Sequence, residues 1–159
     1  MAGRVYPRIK IENARILFRN FEGREDKYNK LGDRNFCVLL DEVQAKELVE
    51  DHGLNVKYLK SREEGDPEEA YLKIAVSFKV RPPKLVMITS RGRTDFTEAN
   101  CQVFDWVDIE KTDLIFTASP WEVGGKSGIK AYAQSVWVTI VEDELDLKYA
   151  DVKYEEEGE

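Results

Sequence analysis

The segment 71-YLKIAVSFKVR-81 indicates the fold class, because apolar and polar side chains alternate along it. One face holds only apolar side chains, those of Leu72, Ile74, Val76, Phe78 and Val80. The other face holds an aromatic ring, two small side chains and three bases, from Tyr71, Ala75, Ser77, Lys73, Lys79 and Arg81. Such alternation is typical of a β-strand with one side against a core. We therefore predict a strand over residues 71–81, ended by Pro82-Pro83.

Short apolar runs between turn residues predict further strands on both sides of this segment. The expected strands span residues 10–18, 35–40, 54–59, 85–88, 113–118 and 129–141. Asp41 as N-cap and Gly53 as a stop predict one helix over residues 42–52. A turn is expected at 91–93, and a loop at 119–128 joins the last two strands into an extended hairpin. The fold is therefore predicted to be mainly β, a small barrel or sandwich with one short helix.

The charge of the chain is concentrated at its C-terminal end. Among 159 residues the net charge is −7, and residues 142–159 hold nine acids against two bases, so the remaining residues are neutral overall. We predict a folded domain over 1–141 and an acidic tail over 142–159 that is disordered at its end. Within the domain, residues 79–93 carry five bases and no acid, which is the local charge pattern of nucleic-acid binding. Ordinary solvation of a charged surface remains the alternative at this point.

Several classes of protein are excluded by composition. No apolar run is long enough to span a membrane, and the N-terminus lacks the apolar region of a secretory signal, so we expect a cytoplasmic protein. The chain has one histidine and two cysteines, Cys37 and Cys101, fewer than the four ligands of a structural zinc site. We expect both cysteines to be buried and reduced, and we expect no cofactor and no metal site.

Two other kinds of chemistry are weighed and set aside. The run Gly124–Gly128 suggests a phosphate-binding loop, but residue 120 is proline where that motif needs glycine, and a strand rather than a helix follows. The carboxylates of Asp105, Asp108 and Glu110 lie close enough in sequence to suggest a magnesium-dependent nuclease. A protein-binding β module with the acidic tail as its interaction element is a further alternative.

The pattern that favours a function is the interleaving of bases with aromatic residues. Lysine and arginine side chains follow a phosphate backbone, and unstacked bases stack on aromatic rings, so this mixture predicts single-stranded nucleic-acid binding. The stacking platforms are predicted to be Tyr28, Tyr71, Trp121 and Tyr132, whereas Phe36 and Phe78 are assigned to the core. The cationic groups are predicted to be Arg15, Arg19, Lys27, Arg34, Lys73, Lys79, Arg81, Arg91, Arg93, Lys126 and Lys130. We predict no catalytic residue.

Four stretches resemble the single-stranded DNA-binding proteins of tailed bacteriophages. They are residues 7–15 (PRIKIENAR), 32–36 (GDRNF), 121–132 (WEVGGKSGIKAY) and 142–145 (EDEL), and the resemblance extends over most of the chain. It implies an OB-like barrel that binds displaced single strands regardless of sequence, in phage DNA replication or recombination within the bacterial host cytoplasm. It also implies that the acidic tail recruits replication or recombination proteins.

Two features differ from that family pattern. Such proteins often end in a hydrophobic residue, whereas this chain ends Glu157-Gly158-Glu159 with Tyr154 as the nearest aromatic residue. The simplest OB pattern places its helix between the third and fourth strands, whereas the helix predicted here follows the second. The sequence therefore implies either an unrecognised early strand in residues 1–9 or an embellished barrel.

Overall fold

Strands dominate the computed structural model of the chain, which describes residues 6–60, 64–65, 68–79, 81–149 and 151–152. In chain order the strands are β1 (Arg8–Ala14), β2 (Ile16–Asn20), β3 (Arg34–Leu40), β4 (Lys57–Leu59), β5 (Glu69–Val76), β6 (Lys84–Thr89), β7 (Gly92–Phe96), β8 (Ile109–Val123) and β9 (Lys126–Ile140). The helices are α1 (Glu42–Glu50), a 3₁₀ helix (Cys101–Asp105) and the single-turn α2 (Glu144–Lys148). In these described ranges no helix is long and apolar enough to cross a membrane.

The strands form one sheet in the order β1-β8-β9-β5-β3-β2. β4 pairs with the start of β5, β6 pairs with β9, and β7 pairs with β6. The two ends of the path, β1 and β2, do not pair with each other among the described residues, so the sheet curves without closing into a hydrogen-bonded ring. The prediction of a mainly β fold with a short helix and an extended hairpin is confirmed.

The alternating segment forms β5, but this strand ends at Val76 rather than at Arg81. Between Ala75 and Lys84 the chain advances nine residues while β9 advances only three, so residues 77–79 and 81–83 lie outside the sheet, on a segment that we call the excursion. Pro82-Pro83 closes the excursion, because proline has no N–H for a ladder bond. Val80, which we assigned to the apolar face, lies outside the described residues.

The predicted strand over residues 10–18 is two strands that divide at Arg15. β1 pairs with β8, whereas β2 pairs with β3, so the chain crosses from one end of the sheet to the other at this point. Asn13 turns the backbone with a left-handed φ of 55°. Because of this division, α1 follows the third strand and precedes the fourth, the place that the simplest OB pattern gives to its helix.

α1 begins at a capping box, which explains why the helix starts where the sequence predicts. The Asp41 carboxylate accepts a hydrogen bond from the Gln44 N–H at 2.7 Å, and the Gln44 side chain accepts one from the Asp41 N–H at 3.0 Å. Ala45 and Leu48 face the core. The helix ends at Glu50, two residues earlier than predicted, and Gly53 follows with a φ of 66°.

The predicted loop at 119–128 is wrong, because nearly all of it is paired strand. β8 and β9 remain in register from Ser119–Lys130 to Val123–Lys126, and only Gly124 and Gly125 form the turn. Their φ angles of 58° and 81° are both positive, which is the type I′ turn that suits the twist of paired strands. The turn predicted at 91–93 is also displaced by one residue, since Gly92 already begins β7.

The core lies inside the curved sheet and includes an aromatic cluster at one end. Phe21 and Phe36 are fully buried and stack with ring centroids 5.3 Å apart at 9°. Phe104 from the 3₁₀ helix contacts Phe21 at 5.3 Å and Phe96 at 4.9 Å. Phe21 therefore anchors the polar loop that follows β2 to the core, and this anchoring fixes the position of the neighbouring loop residues.

Arg19 and Asp105 connect the end of β2 to the region of the 3₁₀ helix by hydrogen bonds, with Arg19 as a donor and Asp105 as an acceptor. The Arg19 guanidinium donates to the carbonyl oxygens of Phe104 at 2.9 Å and Val107 at 2.7 Å. The Asp105 carboxylate accepts from the N–H groups of Phe21 at 2.7 Å and Glu22 at 3.0 Å. Both side chains, predicted as candidates for DNA and metal binding respectively, are thus engaged in holding the fold.

Asp105→Ala is therefore expected to destabilise the protein. Two charge-assisted bonds to backbone N–H groups are lost, and we expect the free energy of unfolding to fall by about 1.5–3 kcal/mol in urea titrations. Asp108→Ala is the matched control, because this exposed carboxylate lies three residues away, and its change should stay within about 0.5 kcal/mol. Equal effects of the two substitutions would contradict the structural role of Asp105.

Candidate nucleic-acid interface

An open groove lies where β5 and β9 separate. The two strands meet at one residue pair, Ala75 and Tyr132, and the space beside that pair has a volume of about 650 Å³. Its walls come from the start of β3, the middle of β5, the start of β9 and the excursion after Val76. Elements far apart in sequence therefore contribute to one concave surface.

Positive charge is concentrated in this groove. Five bases line it, namely Arg34, Lys57, Lys73, Lys79 and Lys130. Two acids, Asp33 and Glu98, also line it, and Glu98 accepts a hydrogen bond from Arg34 at 3.2 Å. The groove thus has an excess of positive charge although the chain as a whole carries −7, and this local excess is what attracts a polyanion.

Two aromatic rings in the groove are each approached by a cation. The Nζ atom of Lys130 lies 5.3 Å from the ring centroid of Tyr132, and the guanidinium carbon of Arg34 lies 5.6 Å from that of Phe78. Both rings are half-buried, so part of each ring remains accessible. Phe78 was predicted to be a core residue, and it does pack against the core, but β5 ends before it and its half-buried ring also forms part of the groove wall.

A second pair of rings lies farther along the same face of the sheet. Tyr71 is two residues from Lys73 in β5 and pairs with Lys57 of β4, so these three side chains project to one side. The Phe18 ring meets Tyr71 edge-on, with centroids 5.7 Å apart. Phe18 is 59% exposed and has a left-handed φ of 50°, at an irregularity in the β2–β3 pairing.

Phe18, Lys57 and Phe78 are interface candidates that we did not predict from the sequence. The position of Lys57 follows from its register with Tyr71, which a single short strand does not indicate beforehand. The outward direction of Phe18 depends on its positive φ, and nothing in the residue type indicates it. For Phe78, the available sequence signal was Pro82-Pro83. Prolines this close to the end of a predicted strand indicate a shorter strand, since proline cannot donate a ladder hydrogen bond.

Several predicted residues lie outside the groove. Tyr28 is 86% exposed on the loop before β3, and Lys27 approaches its ring at 5.7 Å. Arg15 is exposed between β1 and β2, and Arg81 is exposed on the excursion. Arg19, as described above, is engaged with backbone carbonyls. The structure therefore brings together Arg34, Lys73, Lys79, Lys130 and Tyr132 from the predicted set.

Trp121 and Lys126 lie on the end of the β8–β9 hairpin. β1 accompanies β8 only as far as the Arg8–Thr117 pair, so the remainder of the hairpin extends as a two-stranded arm. The Trp121 indole rests on Gly128, where an added Cβ would lie 2.8 Å from Nε1. This contact leaves the indole 40% exposed in a fixed place on the arm.

Arg91 and Arg93 lie near the turn between β6 and β7. Arg93 forms an ion pair with Asp95 at 3.1 Å, and its guanidinium carbon lies 5.1 Å from the ring of Trp137. The neighbouring Ser90 donates its N–H and its Oγ–H to the Glu142 carboxylate. These bonds, and the charge of Arg91, hold the pKa of Glu142 below its usual value.

The acids proposed for a nuclease do not assemble into a site. Both oxygens of Asp105 accept backbone N–H groups, as described above. Across the described ranges, no group of three histidine, cysteine or acidic side chains is arranged to hold a metal ion.

The comparison with known protein families agrees with the geometry of the groove. The family model of the phage ssDNA-binding domain matches residues 1–158. The chain belongs to this family. No match was found among curated proteins.

Solved structures of phage ssDNA-binding proteins share the fold. The single-stranded DNA-binding protein of bacteriophage Enc34 matches with a TM-score of 0.54 at 10% identity, over 86% of this chain and 82% of that one. The same protein in complex with ssDNA matches with a TM-score of 0.53 at 12% identity, over 86% and 88%. The ssDNA-binding protein gp2.5 of bacteriophage T7 has a TM-score of 0.47 at 13% identity, over 98% of both chains. The two Enc34 structures confirm the OB-like fold predicted for this family member.

The thiol of Cys37 lies beside the groove, and its pKa depends on the charges of two groove lysines. Cys37 pairs with Lys73 across β3 and β5 and is nearly buried. Burial raises the pKa of Cys37 to about 11, against the opposing charges of Lys73 and Lys57. The same lysines are the groove's cations, so their neutralisation by a bound polyanion removes the two charges that favour the thiolate.

Alkylation of Cys37 is therefore expected to be slow and to become slower with DNA. With a pKa of about 11 rather than the ordinary 9.0, the thiolate fraction at pH 8 is about 100-fold lower, and the rate should rise as the pH approaches 11. Saturating oligo-dT should lower the rate further, as followed by peptide mass spectrometry. Cys101 is expected to respond as well, because burial raises the pKa of its thiol and the nearby charge of Arg34, another groove cation, opposes that rise. An unchanged rate at Cys37 would show that the oligonucleotide does not neutralise Lys73 and Lys57.

Proposed function

We propose that the protein binds single-stranded DNA without regard to sequence, in the groove between β5 and β9. The observation that carries this proposal is the coincidence of five cations with the rings of Tyr132 and Phe78 in one open groove of a family member. Cations alone would serve any polyanion, and rings alone would serve any apolar ligand. Their combination fits a strand that offers phosphates on one side and unstacked bases on the other.

Capture of the strand is electrostatic in the first step. Lysine and arginine side chains neutralise phosphates and release condensed counterions, so affinity falls linearly with the logarithm of salt concentration. The exposed lysines Lys57, Lys73 and Lys79 are free to reorient toward a backbone, whereas Arg34 is restrained by Glu98. The negative remainder of the chain disfavours binding elsewhere on the surface.

Stacking follows when a base replaces the cation on a ring. In the DNA-free protein, Lys130 covers Tyr132 and Arg34 covers Phe78. An exposed cation–π contact contributes about 0.5–1 kcal/mol, whereas a base stacked on an aromatic ring contributes about 1–3 kcal/mol. The exchange is favourable at Tyr132, because the exposed Lys130 can move to a phosphate. Every base has a flat face, so this mode of binding does not discriminate sequence, and a duplex cannot use it because its bases are already stacked.

The biological role that fits this activity is protection of displaced single strands during phage DNA replication or recombination, in the cytoplasm of the bacterial host. Membership of the phage ssDNA-binding family supports this assignment. The protein acts without catalysis in this proposal. The engagement of Asp105 by two backbone N–H groups supports that view, because it removes the first of the three carboxylates a magnesium-dependent nuclease would need.

The acidic C-terminal segment is proposed to recruit replication or recombination proteins. Glu142 fixes the start of this segment to Ser90, and α2 then exposes Leu145 and Leu147 among acidic neighbours. Apolar side chains beside acids form a docking surface, whereas acids alone would serve solubility. Leu145→Ser/Leu147→Ser should abolish binding to the purified replicative polymerase of the phage and leave oligo-dT affinity unchanged, and equal polymerase binding would contradict this role.

Titration of the protein with oligo-dT at two salt concentrations tests the proposed groove, with tryptophan fluorescence as the signal. Tyr132→Ala and Tyr71→Ala should each weaken binding by about 5- to 150-fold, which corresponds to the loss of one stacked base. Lys73→Gln should lower the steepness of the salt dependence by about 0.7 in the log–log slope.

Lys46→Gln on α1 is the matched control for charge, and it should change neither quantity. Incubation of the same oligonucleotide with the protein and magnesium should leave it intact. Unchanged affinity in both tyrosine variants, with folded protein shown by circular dichroism, would overturn the groove as the binding site.

A further inference from the structure

Outside the groove, one cluster of cations surrounds an aromatic ring that the proposed function has not used. Lys84 Nζ lies 5.0 Å from the ring centroid of Trp137, and the guanidinium carbon of Arg93 lies 5.1 Å from it. We propose that Lys84, Arg93 and Trp137 form a second contact for the DNA strand that occupies the groove, and that this contact binds phosphates rather than bases. The inference rests on the proposed function, and it extends the path of the DNA strand beyond the groove.

Trp137 lies on the same side of β9 as the groove tyrosine. Ala131 and Ala133 face the core before an irregularity in the β8–β9 pairing, and Val136 and Val138 face it afterwards. The irregularity adds one residue to β9, so the core-facing positions change from odd-numbered to even-numbered residues. Tyr132 and Trp137 consequently both point outward, and at about 3.3 Å per residue they stand about 16 Å apart along the strand.

Register places the two cations on either side of the indole. Lys84 lies beside Ser135, two residues before Trp137 in β9. Arg93 pairs with Ile88, which lies beside Thr139, two residues after Trp137. The cations therefore approach the ring from opposite directions along the strand. A base would have to displace both of them to stack on the indole, so the groups available to DNA are the two cations.

The cluster covers an apolar residue, which holds the cations in place. Val86 lies beside Trp137 in the sheet and is fully buried, although Leu85 and Met87, its neighbours in β6, are the residues that face the core. The indole therefore packs over Val86 and fixes its own position. The contacts with the ring restrain the side chains of Lys84 and Arg93, so less conformational entropy is lost when they bind a phosphate.

Neighbouring carboxylates do not cancel this charge. Asp95 pairs with Arg93 at 3.1 Å, but the pair is solvent-exposed, and exposed ion pairs contribute little and yield to phosphate. Asp113 lies opposite Trp137 on β8 and accepts a hydrogen bond from the Asn13 N–H. Lys111 adds a third cation to this face, in register with Thr139. The charge balance of the cluster is thus positive, as binding of a phosphate backbone needs.

The test compares oligo-dT of two lengths, at the short and long ends of the about 4–16 nucleotides that one OB fold covers. Lys84→Gln/Arg93→Gln should lower the log–log salt slope for the long oligonucleotide by about 1.4, since each phosphate contact to a single strand contributes about 0.7. The short oligonucleotide, which fills the groove alone, should bind as it does to the unmodified protein. Lys46→Gln should leave both slopes unchanged.

The other outcomes separate this proposal from the proposed function. If both lengths bind the double variant normally, the cluster serves only to cover Val86 and the proposal is overturned. Equal loss for both lengths would also overturn it, because the cations would then act by general attraction and not on a distinct part of the strand. If the unmodified protein binds neither length, the groove itself fails.

A change in folding is distinguished by rescue. Lys84→Arg/Arg93→Lys preserves both charges and both ring contacts, and it should restore the slope for the long oligonucleotide to that of the unmodified protein. If it restores stability in urea titrations but not the salt slope, the cations do not contact phosphate and the proposal is again overturned.

Discussion

β9 is paired along both edges, and this double pairing determines both the core and the proposed DNA path. One edge is held by β8 over almost its whole length, and the other is held first by β5 and then by β6. Because β5 and β6 lie end to end beside β9, the chain between them must leave the sheet, and the groove opens where it leaves. The inward side chains of β9 are small or β-branched, which lets the core pack closely beneath a face that carries Lys130 and Tyr132.

The distribution of charge makes this face selective. The groove concentrates cations in a chain whose net charge is −7, so attraction for DNA is local and does not extend to the whole surface. A uniformly basic protein would bind duplex and single strands alike through phosphates. In the proposed interface, the rings next to the cations would add a contribution that only unpaired bases can use.

Local sequence patterns predicted much of the fold. The alternation in β5, the cap at Asp41 and the glycines of the hairpin are signals within a few residues of the structure they specify, and β5, α1 and the hairpin form where these signals lie. The predicted strand boundaries are wrong where pairing with a strand distant in sequence determines the secondary structure. Arg15 separates two strands because β1 and β2 find partners at opposite ends of the sheet, and residues 119–123 are strand because their partner lies across a two-glycine turn.

The site was less predictable than the fold for a related reason. Lys73 and Tyr132 were accessible to sequence reasoning because each lies in a strand whose alternation marks the outward face. Arg19 was not, because its role is set by the carbonyls of Phe104 and Val107, which lie in and just after the 3₁₀ helix, more than eighty residues away. Phe18 depends on a backbone angle, and Trp137 depends on an irregularity that reverses the phase of β9. Residue type alone does not encode any of these three.

The difference between Tyr132 and Trp137 shows how one strand can present two kinds of contact. Tyr132 is approached by a single cation, so one exchange frees its ring for a base. Trp137 is approached by two cations and packs over a buried valine, so freeing its ring would require both cations to move and would still leave the indole fixed against the sheet. Stacking is therefore favoured at Tyr132 and phosphate binding at Trp137. A strand running outward along β9 would thus be held by its bases within the groove and by its backbone beyond it.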